Sequence, residues 1–260
     1  MRHIKFILAV WQTNLQSVME YRASFLTQVI GMMLNNLIYF AIWIIFFNRF
    51  EDVNGWDVND MFIKFGVLAS SFGLVALLFG NAFTLSDVIN NGRLDYYLSM
   101  PRPVLLYAIS SRMIASGMGD FTYGFISYGL SGQFTWDGLL RFILAILLAA
   151  TVFVSFLILV HSLAFWAGVI SGFSNLMFNA LLTFGIYPIT LFDNYAKLIL
   201  FTLVPAALVG AVPAEFISEF SWLTLVKLLL GAVIFLGLAI SVFNLGLKRY
   251  ESGSAIQVEV

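Results

Sequence analysis

The sequence predicts an all-α integral membrane protein with six transmembrane helices. Hydrophobic residues make up 61% of the 260 residues and charged residues only 10%, and the mean hydropathy is +0.94. A soluble domain needs far more charge to cover its surface. The apolar residues also arrive in uninterrupted runs that match the thickness of a bilayer. We therefore expect residues 1–260 to form one membrane-embedded domain.

An amphipathic helix is predicted ahead of the first span, within residues 3–24. From Ile4 to Tyr21 the apolar residues follow the i, i+3, i+4, i+7 spacing of a helix, and Gln12 and Gln16 lie on the opposite side. Such a helix is expected to lie in the membrane surface. A cap packed on the helix bundle is the alternative.

Six apolar segments are predicted to cross the membrane. Lys64 lies near the start of the second segment, where its ammonium group is expected to snorkel to the surface. Between the fifth and sixth segments, residues 193–221 hold apolar pieces too short to cross, broken by Pro205 and Pro213, and are predicted to form a re-entrant or extracytoplasmic segment. The six segments are residues 25–47, 63–85, 104–130, 139–171, 175–192 and 222–247.

The polar connector of residues 86–103 is predicted to face the cytoplasm. Most loop lysines and arginines lie in this connector and near the two ends of the chain, so the positive-inside rule places both termini in the cytoplasm. Residues 93–99 can form about two helical turns before Pro101, with Leu94, Tyr97 and Leu98 on one face. A short helix held here is suited to receive force from a soluble protein, and an ordinary interfacial loop is the alternative.

The sequence argues against several kinds of chemistry. There is no cysteine, and the phosphate-binding G-x-x-x-x-G-K-[ST] loop, H-E-x-x-H and G-x-S-x-G are all missing. The two histidines, His3 and His161, are too far apart for a histidine-based metal site. A net charge of −1 gives no case for nucleic acid. The chain is therefore expected to be no enzyme and to hold no cofactor or metal.

Polar residues inside the predicted spans are few. Asp120 and Arg112 lie on the third span, roughly on one helix face, and Asp120 is either part of a translocation path or a structural partner of another helix. Asn35 and Asn36 are further candidates for the path, although an interhelical hydrogen bond is the favoured interpretation. For His161, a satisfied packing residue is favoured over a proton acceptor.

Three glycines of the third span, Gly117, Gly119 and Gly124, would allow another helix to approach closely. A seam inside the subunit and a contact between two subunits are both open.

The chain resembles the permease subunits of type 2 ABC exporters, in particular the bacterial branch with one short permease. The matching pieces are individually weak, but their order and spacing extend over nearly the whole chain. They are Tyr21-Arg22-Ala23-Ser24-Phe25-Leu26, Gly92-Arg93-Leu94-Asp95-Tyr96-Tyr97-Leu98 with Pro101 and Pro103, Tyr187-Pro188, Pro205 and Pro213, and Lys248-Arg249-Tyr250-Glu251-Ser252.

This resemblance implies a multi-pass protein of the bacterial inner membrane that pairs with a second permease, identical or related, and with separate ABC ATPase subunits. ATP and magnesium would bind to those partners and not to this chain. The resemblance also makes residues 86–103 a cytoplasmic coupling segment. The residues that would dock on the ATPase are Arg93, Leu94, Asp95, Tyr96 and Tyr97.

Export driven by a partner ATPase is therefore the leading functional hypothesis. A gradient-driven transporter or channel is the second, and a non-transporting assembly factor or anchor is the third. Aromatic and weakly polar spans favour an amphiphilic cargo over a small ion.

Overall fold

The structure is a computed structural model that describes residues 2–50, 52 and 55–251, with side chains described from residue 4 onward. The described part of the chain is built from α-helices, with short 3-10 helices at Gly80–Thr84 and Ile189–Leu191. The α-helices are α1 (Arg2–Glu20), α2 (Arg22–Arg49), α3 (Val58–Phe79), α4 (Leu85–Asn90), α5 (Leu94–Leu98), α6 (Val104–Ser110), α7 (Gly117–Leu130), α8 (Trp136–Ser162), α9 (Ala164–Ala167), α10 (Ser171–Ile186), α11 (Asn194–Thr202), α12 (Ala206–Val209), α13 (Ala211–Ser218) and α14 (Trp222–Leu247).

Within the described ranges, four helical stretches are long and apolar enough to cross a membrane. They are Arg22–Arg49, Val58–Asn90, Trp136–Ala167 and Trp222–Leu247. A fifth candidate is the pair Asn194–Thr202 and Ala206–Ser218, which is bent by 69° within the segment where the sequence predicts a break. Helix length and composition thus give four or five candidate spans where the sequence analysis predicts six.

The third predicted span, residues 104–130, is not one continuous helix, and that prediction is wrong. Helix α6 ends at Ser110 and α7 begins at Gly117. Neighbouring segments supply partners for the backbone in this break: Ile114 N–H donates to the Ala76 carbonyl at 3.0 Å. Arg112 lies in the break, so it does not share a helix face with Asp120.

The fifth predicted span, residues 175–192, is also shorter than expected. Helix α10 has 16 residues and ends at Ile186. The following Tyr187 adopts an extended backbone conformation, as expected of a residue before a proline, here Pro188.

Helix α3 is central in the bundle and α2 is peripheral. In the most apolar window of Val58–Asn90, 67% of the residues are buried, against 6% in α2. Helix α3 packs against α7 and α8, and α8 packs against α14. The outer face of α2 is therefore left to lipid or to another protein.

Helix α1 is hydrogen-bonded to the bundle by two side chains. Trp11 Nε1 donates to the Leu78 carbonyl at 2.8 Å, and Asn14 Nδ2 donates to the Ser110 carbonyl at 2.9 Å. Both acceptors lie in the last turn of a helix, where carbonyl groups lack a partner within the helix. The apolar side chains of Ile4 and Leu8 remain exposed, so α1 combines a packed face with a second apolar strip that fits a membrane surface.

Lys64 does not snorkel, and that prediction is wrong. Its side chain is fully buried, Nζ donates to the Tyr187 carbonyl, and Nζ lies 4.9 Å from the centre of the Trp56 ring. A backbone carbonyl and an aromatic face can replace part of the hydration of an ammonium group. Lys64 therefore joins α3 to the end of α10.

Candidate functional site

A partly open cavity of about 320 Å³ lies between α2, α3, α7 and α10. The α3 residues that line it are apolar or aromatic, whereas the polar side chains come from the other three helices. The lining residues are Met32, Asn35, Asn36, Tyr39, Phe65, Leu68, Ala69, Phe72, Asp120, Asn179, Leu182, Thr183 and Ile186. The cavity therefore brings together Asn35, Asn36 and Asp120, the three residues that the sequence analysis proposes for a translocation path.

Among the residues that line this cavity, Asp120 is the acidic one, and it is only 4% exposed. Its Oδ1 accepts a hydrogen bond from Asn36 Nδ2 at 2.7 Å, which confirms the predicted interhelical hydrogen bond of Asn36. Its Oδ2 is buried without a hydrogen-bond partner in the described part of the chain. A buried polar atom without a partner is costly, so this oxygen marks the cavity as a place where a ligand group could bind.

Close helix packing at glycine residues holds α7, and with it Asp120, against the neighbouring helices. A Cβ added to Gly73 of α3 would lie 2.5 Å from the carbonyl oxygen of Gly117, and one added to Gly124 would overlap Ser70. On the other side of α7, a Cβ on Gly119 would overlap the backbone of Val29 in α2. The predicted glycine contact is thus a seam inside the subunit, and it holds α7 between α2 and α3.

Two rows of exposed polar side chains border the cavity. On α10, Asn175, Asn179 and Thr183 recur every fourth residue and are exposed, so they lie on one helix face. On α2, Asn35 and Tyr39 have the same spacing and are also exposed. The α10 row is absent from the sequence-based candidates, although the four-residue spacing of polar residues in an apolar helix is the signal that could have revealed it.

His161 lies apart from the cavity and has a structural environment. It is 4% exposed, and its Nδ1 lies 2.9 Å from Ser86 Oγ and accepts from Ser86 N–H at 3.3 Å. The favoured interpretation of a satisfied packing residue is therefore confirmed. In the described part of the chain no group of three His, Asp or Glu side chains could hold a metal ion.

The predicted coupling segment contains the short helix α5, whose residues face in two directions. Leu94 is fully buried, whereas Tyr96 is 54% and Leu98 42% exposed. The helical spacing places Leu94, Tyr97 and Leu98 on one face of α5, as predicted, but burial falls along that face from the fully buried Leu94 to the exposed Leu98. Leu94 consequently lies beneath the segment as an anchor and does not form part of its exposed surface.

Tyrosine hydroxyl groups connect α5 to the neighbouring α6. Tyr97 Oη lies 2.7 Å from Ser111 Oγ, and Tyr96 Oη lies 3.2 Å from Tyr107 Oη. The Tyr107 ring in turn packs edge-on against Phe6 of α1, with centroids 4.9 Å apart. Helices α1, α5 and α6 therefore form one connected unit. Its exposed side chains include Arg93, Tyr96 and Leu98.

The long apolar helices define the class of a multi-pass membrane protein. Residues 8–254 match the family model described as ABC-2 family transporter protein. Since this match spans nearly the whole chain, the chain belongs to the ABC-2 transporter family and is an ABC transporter permease. Proteins of this family are membrane components of transporters and are generally non-catalytic. Membership implies association with an ABC ATPase. No curated protein and no solved structure matches the chain.

Proposed function

We propose that this chain is the permease of an ATP-driven bacterial exporter that moves an amphiphilic molecule out of the cytoplasm. The observation that carries this proposal is the half-polar cavity between α2 and α10, in a chain whose family implies an ABC ATPase. The aromatic side chains that line the cavity suit the apolar part of an amphiphile, and the amide and carboxyl groups suit its polar head group. Two such permeases, identical or related, would face each other across these cavities.

ATP bound by the partner subunits would supply the energy, and the exposed face of α5 would receive the motion. Leu94 and the Tyr97–Ser111 contact support this proposal because they fix α5 to the bundle. A load applied to Tyr96 would then reach α6, and through Ser110 and Asn14 it would reach α1. Transmission requires that the ATPase contact the two conformations of the permease differently.

The orientation can be tested directly because the chain has no cysteine of its own. In this proposal both termini and residues 86–103 are cytoplasmic, while residues 193–221 are extracytoplasmic. We expect Tyr96→Cys to react with a membrane-impermeant maleimide only in inverted vesicles, and Tyr195→Cys only in right-side-out vesicles. Both tyrosines are exposed, at 54% and 83%. Labelling of Tyr96→Cys from outside intact cells would refute the exporter orientation.

Transport itself is tested in proteoliposomes that contain the chain together with its co-purifying ABC ATPase. The extracytoplasmic side of the permease faces the vesicle lumen, and the ATPase faces the external buffer. We expect a fluorescent amphiphile to accumulate in the vesicles with ATP and Mg²⁺ and not with a non-hydrolysable ATP analogue. The control is the permease without the ATPase. Equal accumulation in that control, driven by an ion gradient, would support the gradient-driven transporter instead. Binding of the ATPase without any flux would point to an anchor or assembly factor.

A further inference from the structure

We infer that the cavity around Asp120 selects a positively charged hydrogen-bond donor, namely the protonated amine of a lipophilic amine. This inference rests on the proposed transport function and names the substrate class for the same cavity. The chemical reason is the carboxyl group of Asp120, whose two oxygens lie in different environments. Oδ1 is occupied by the Asn36 amide, and Oδ2 is buried without a protein partner.

The charge balance of the cavity favours a cation over an anion. None of its lining residues is basic, and the ion pair of Arg141 with Asp137 lies outside this cavity. An anionic head group would meet the Asp120 carboxyl without a compensating charge. A protonated amine would instead give Oδ2 a charge-assisted hydrogen bond, the strongest kind available to it.

The remaining walls fit the rest of such a molecule. Phe65 and Phe72 of α3 and Leu182 of α10 line the cavity with aromatic and aliphatic surface, which suits an apolar body. The side-chain oxygens of Asn35, Asn179 and Thr183 provide acceptors for the other N–H groups of a primary amine. At about 320 Å³ the cavity is at the small end of the range for small-molecule pockets.

The exposed edge of the cavity gives the amine a route from the membrane. Asn179 and Thr183 continue toward Asn175 as one row of exposed polar groups on α10. Lipophilic amines dissolve in the bilayer with their charged group near the surface. Such a molecule could follow this polar row to Asp120 without leaving the membrane.

The test is equilibrium binding to the full chain in lipid nanodiscs, without the ATPase, using two matched fluorescent probes. Dansylcadaverine carries a primary amine, and its N-acetyl derivative is nearly the same size but uncharged. We expect the amine to bind at least about tenfold more tightly than the acetylated probe, as a charge-assisted hydrogen bond would require. Equal affinities for the two probes in the unmodified chain would overturn the inference without any variant.

Asp120→Asn provides the second arm, because asparagine keeps the shape and removes the charge. It should weaken binding of the amine at least about tenfold and leave the acetylated probe unchanged, which also reports that the cavity is intact. Asp193→Asn is the control, since Asp193 caps α11 through Ala196 N–H and asparagine caps helices equally well. Undiminished amine binding by Asp120→Asn would contradict the inference. ATP-driven transport of an uncharged amphiphile would in that case leave the exporter function standing.

Discussion

Replacing Gly124 with alanine is expected to destabilise the protein by about 3 kcal/mol or more, an overpacking cost at the upper end of the usual range. The added Cβ would overlap Ser70 Oγ and the Gly66 carbonyl oxygen and lie 2.8 Å from Ser70 N. Two of these three atoms belong to the backbone of α3, so rotation of a side chain cannot relieve the overlap. Helix α7 would have to move away from α3 and carry Asp120 with it.

The same helix offers a matched control in Gly129, where an added Cβ would have nothing within 4 Å. Alanine is the better helix former by about 1 kcal/mol, so Gly129→Ala should leave the melting temperature unchanged or raise it. Thermal unfolding in detergent, followed by size-exclusion chromatography, measures both variants. Equal melting temperatures for Gly124→Ala and Gly129→Ala would show that the seam between α3 and α7 is not tightly packed.

The double variant Tyr96→Glu and Leu98→Glu should abolish ATP-driven transport while the chain still inserts and melts normally. Both side chains are exposed, so the new carboxylates stay hydrated in the folded permease, and the hydrogen bond lost within the chain is the exposed one between the Tyr96 and Tyr107 hydroxyl groups. At an interface with the ATPase the carboxylates would be desolvated without a partner, and such buried charge is costly. Retention of the ATPase during affinity purification and ATP-dependent accumulation in vesicles are the two measurements.

Tyr195→Glu is the control for that double variant, since Tyr195 is 83% exposed and lies in the segment proposed to face outward. It should purify with the ATPase and transport normally. Leu94→Glu is a poor probe of docking, because Leu94 is fully buried and a carboxylate there would disrupt the fold itself. Normal ATPase binding and transport by the double variant would show that α5 is not the docking surface.

The sequence predicts the fold best where the chain has long apolar runs. The last span is predicted at residues 222–247, and α14 covers Trp222–Leu247; the first is predicted at 25–47, and α2 covers Arg22–Arg49. Such runs are decided by local hydrophobicity and length. No contact from elsewhere in the chain is needed to place them.

The errors arise where distant segments supply a partner. The break before Gly117 depends on the Ala76 carbonyl, and the burial of Lys64 depends on the Tyr187 carbonyl. Neither partner can be identified from the neighbouring sequence. Propensity and hydropathy therefore predict a continuous span and a snorkelling lysine, and tertiary contacts override both.

The sequence reveals some residues of the candidate cavity and not others. Asn35, Asn36 and Asp120 are conspicuous because they interrupt apolar runs, and the structure places all three in one cavity. Asn179 and Thr183 are ordinary uncharged residues when each is considered alone. Their relevance depends on the way α10 faces α2, which only the packed bundle reveals.

The contacts of the first helix have a practical consequence for engineering this protein. Trp11 and Asn14 bind backbone oxygens of Leu78 and Ser110, which are acceptors that a substitution at either position cannot remove. Deleting the residues before the first long span would remove both hydrogen-bond donors, so the carbonyl oxygens of Leu78 and Ser110 would lose these partners together. Affinity tags and fusion partners should therefore be added without deleting these twenty or so residues.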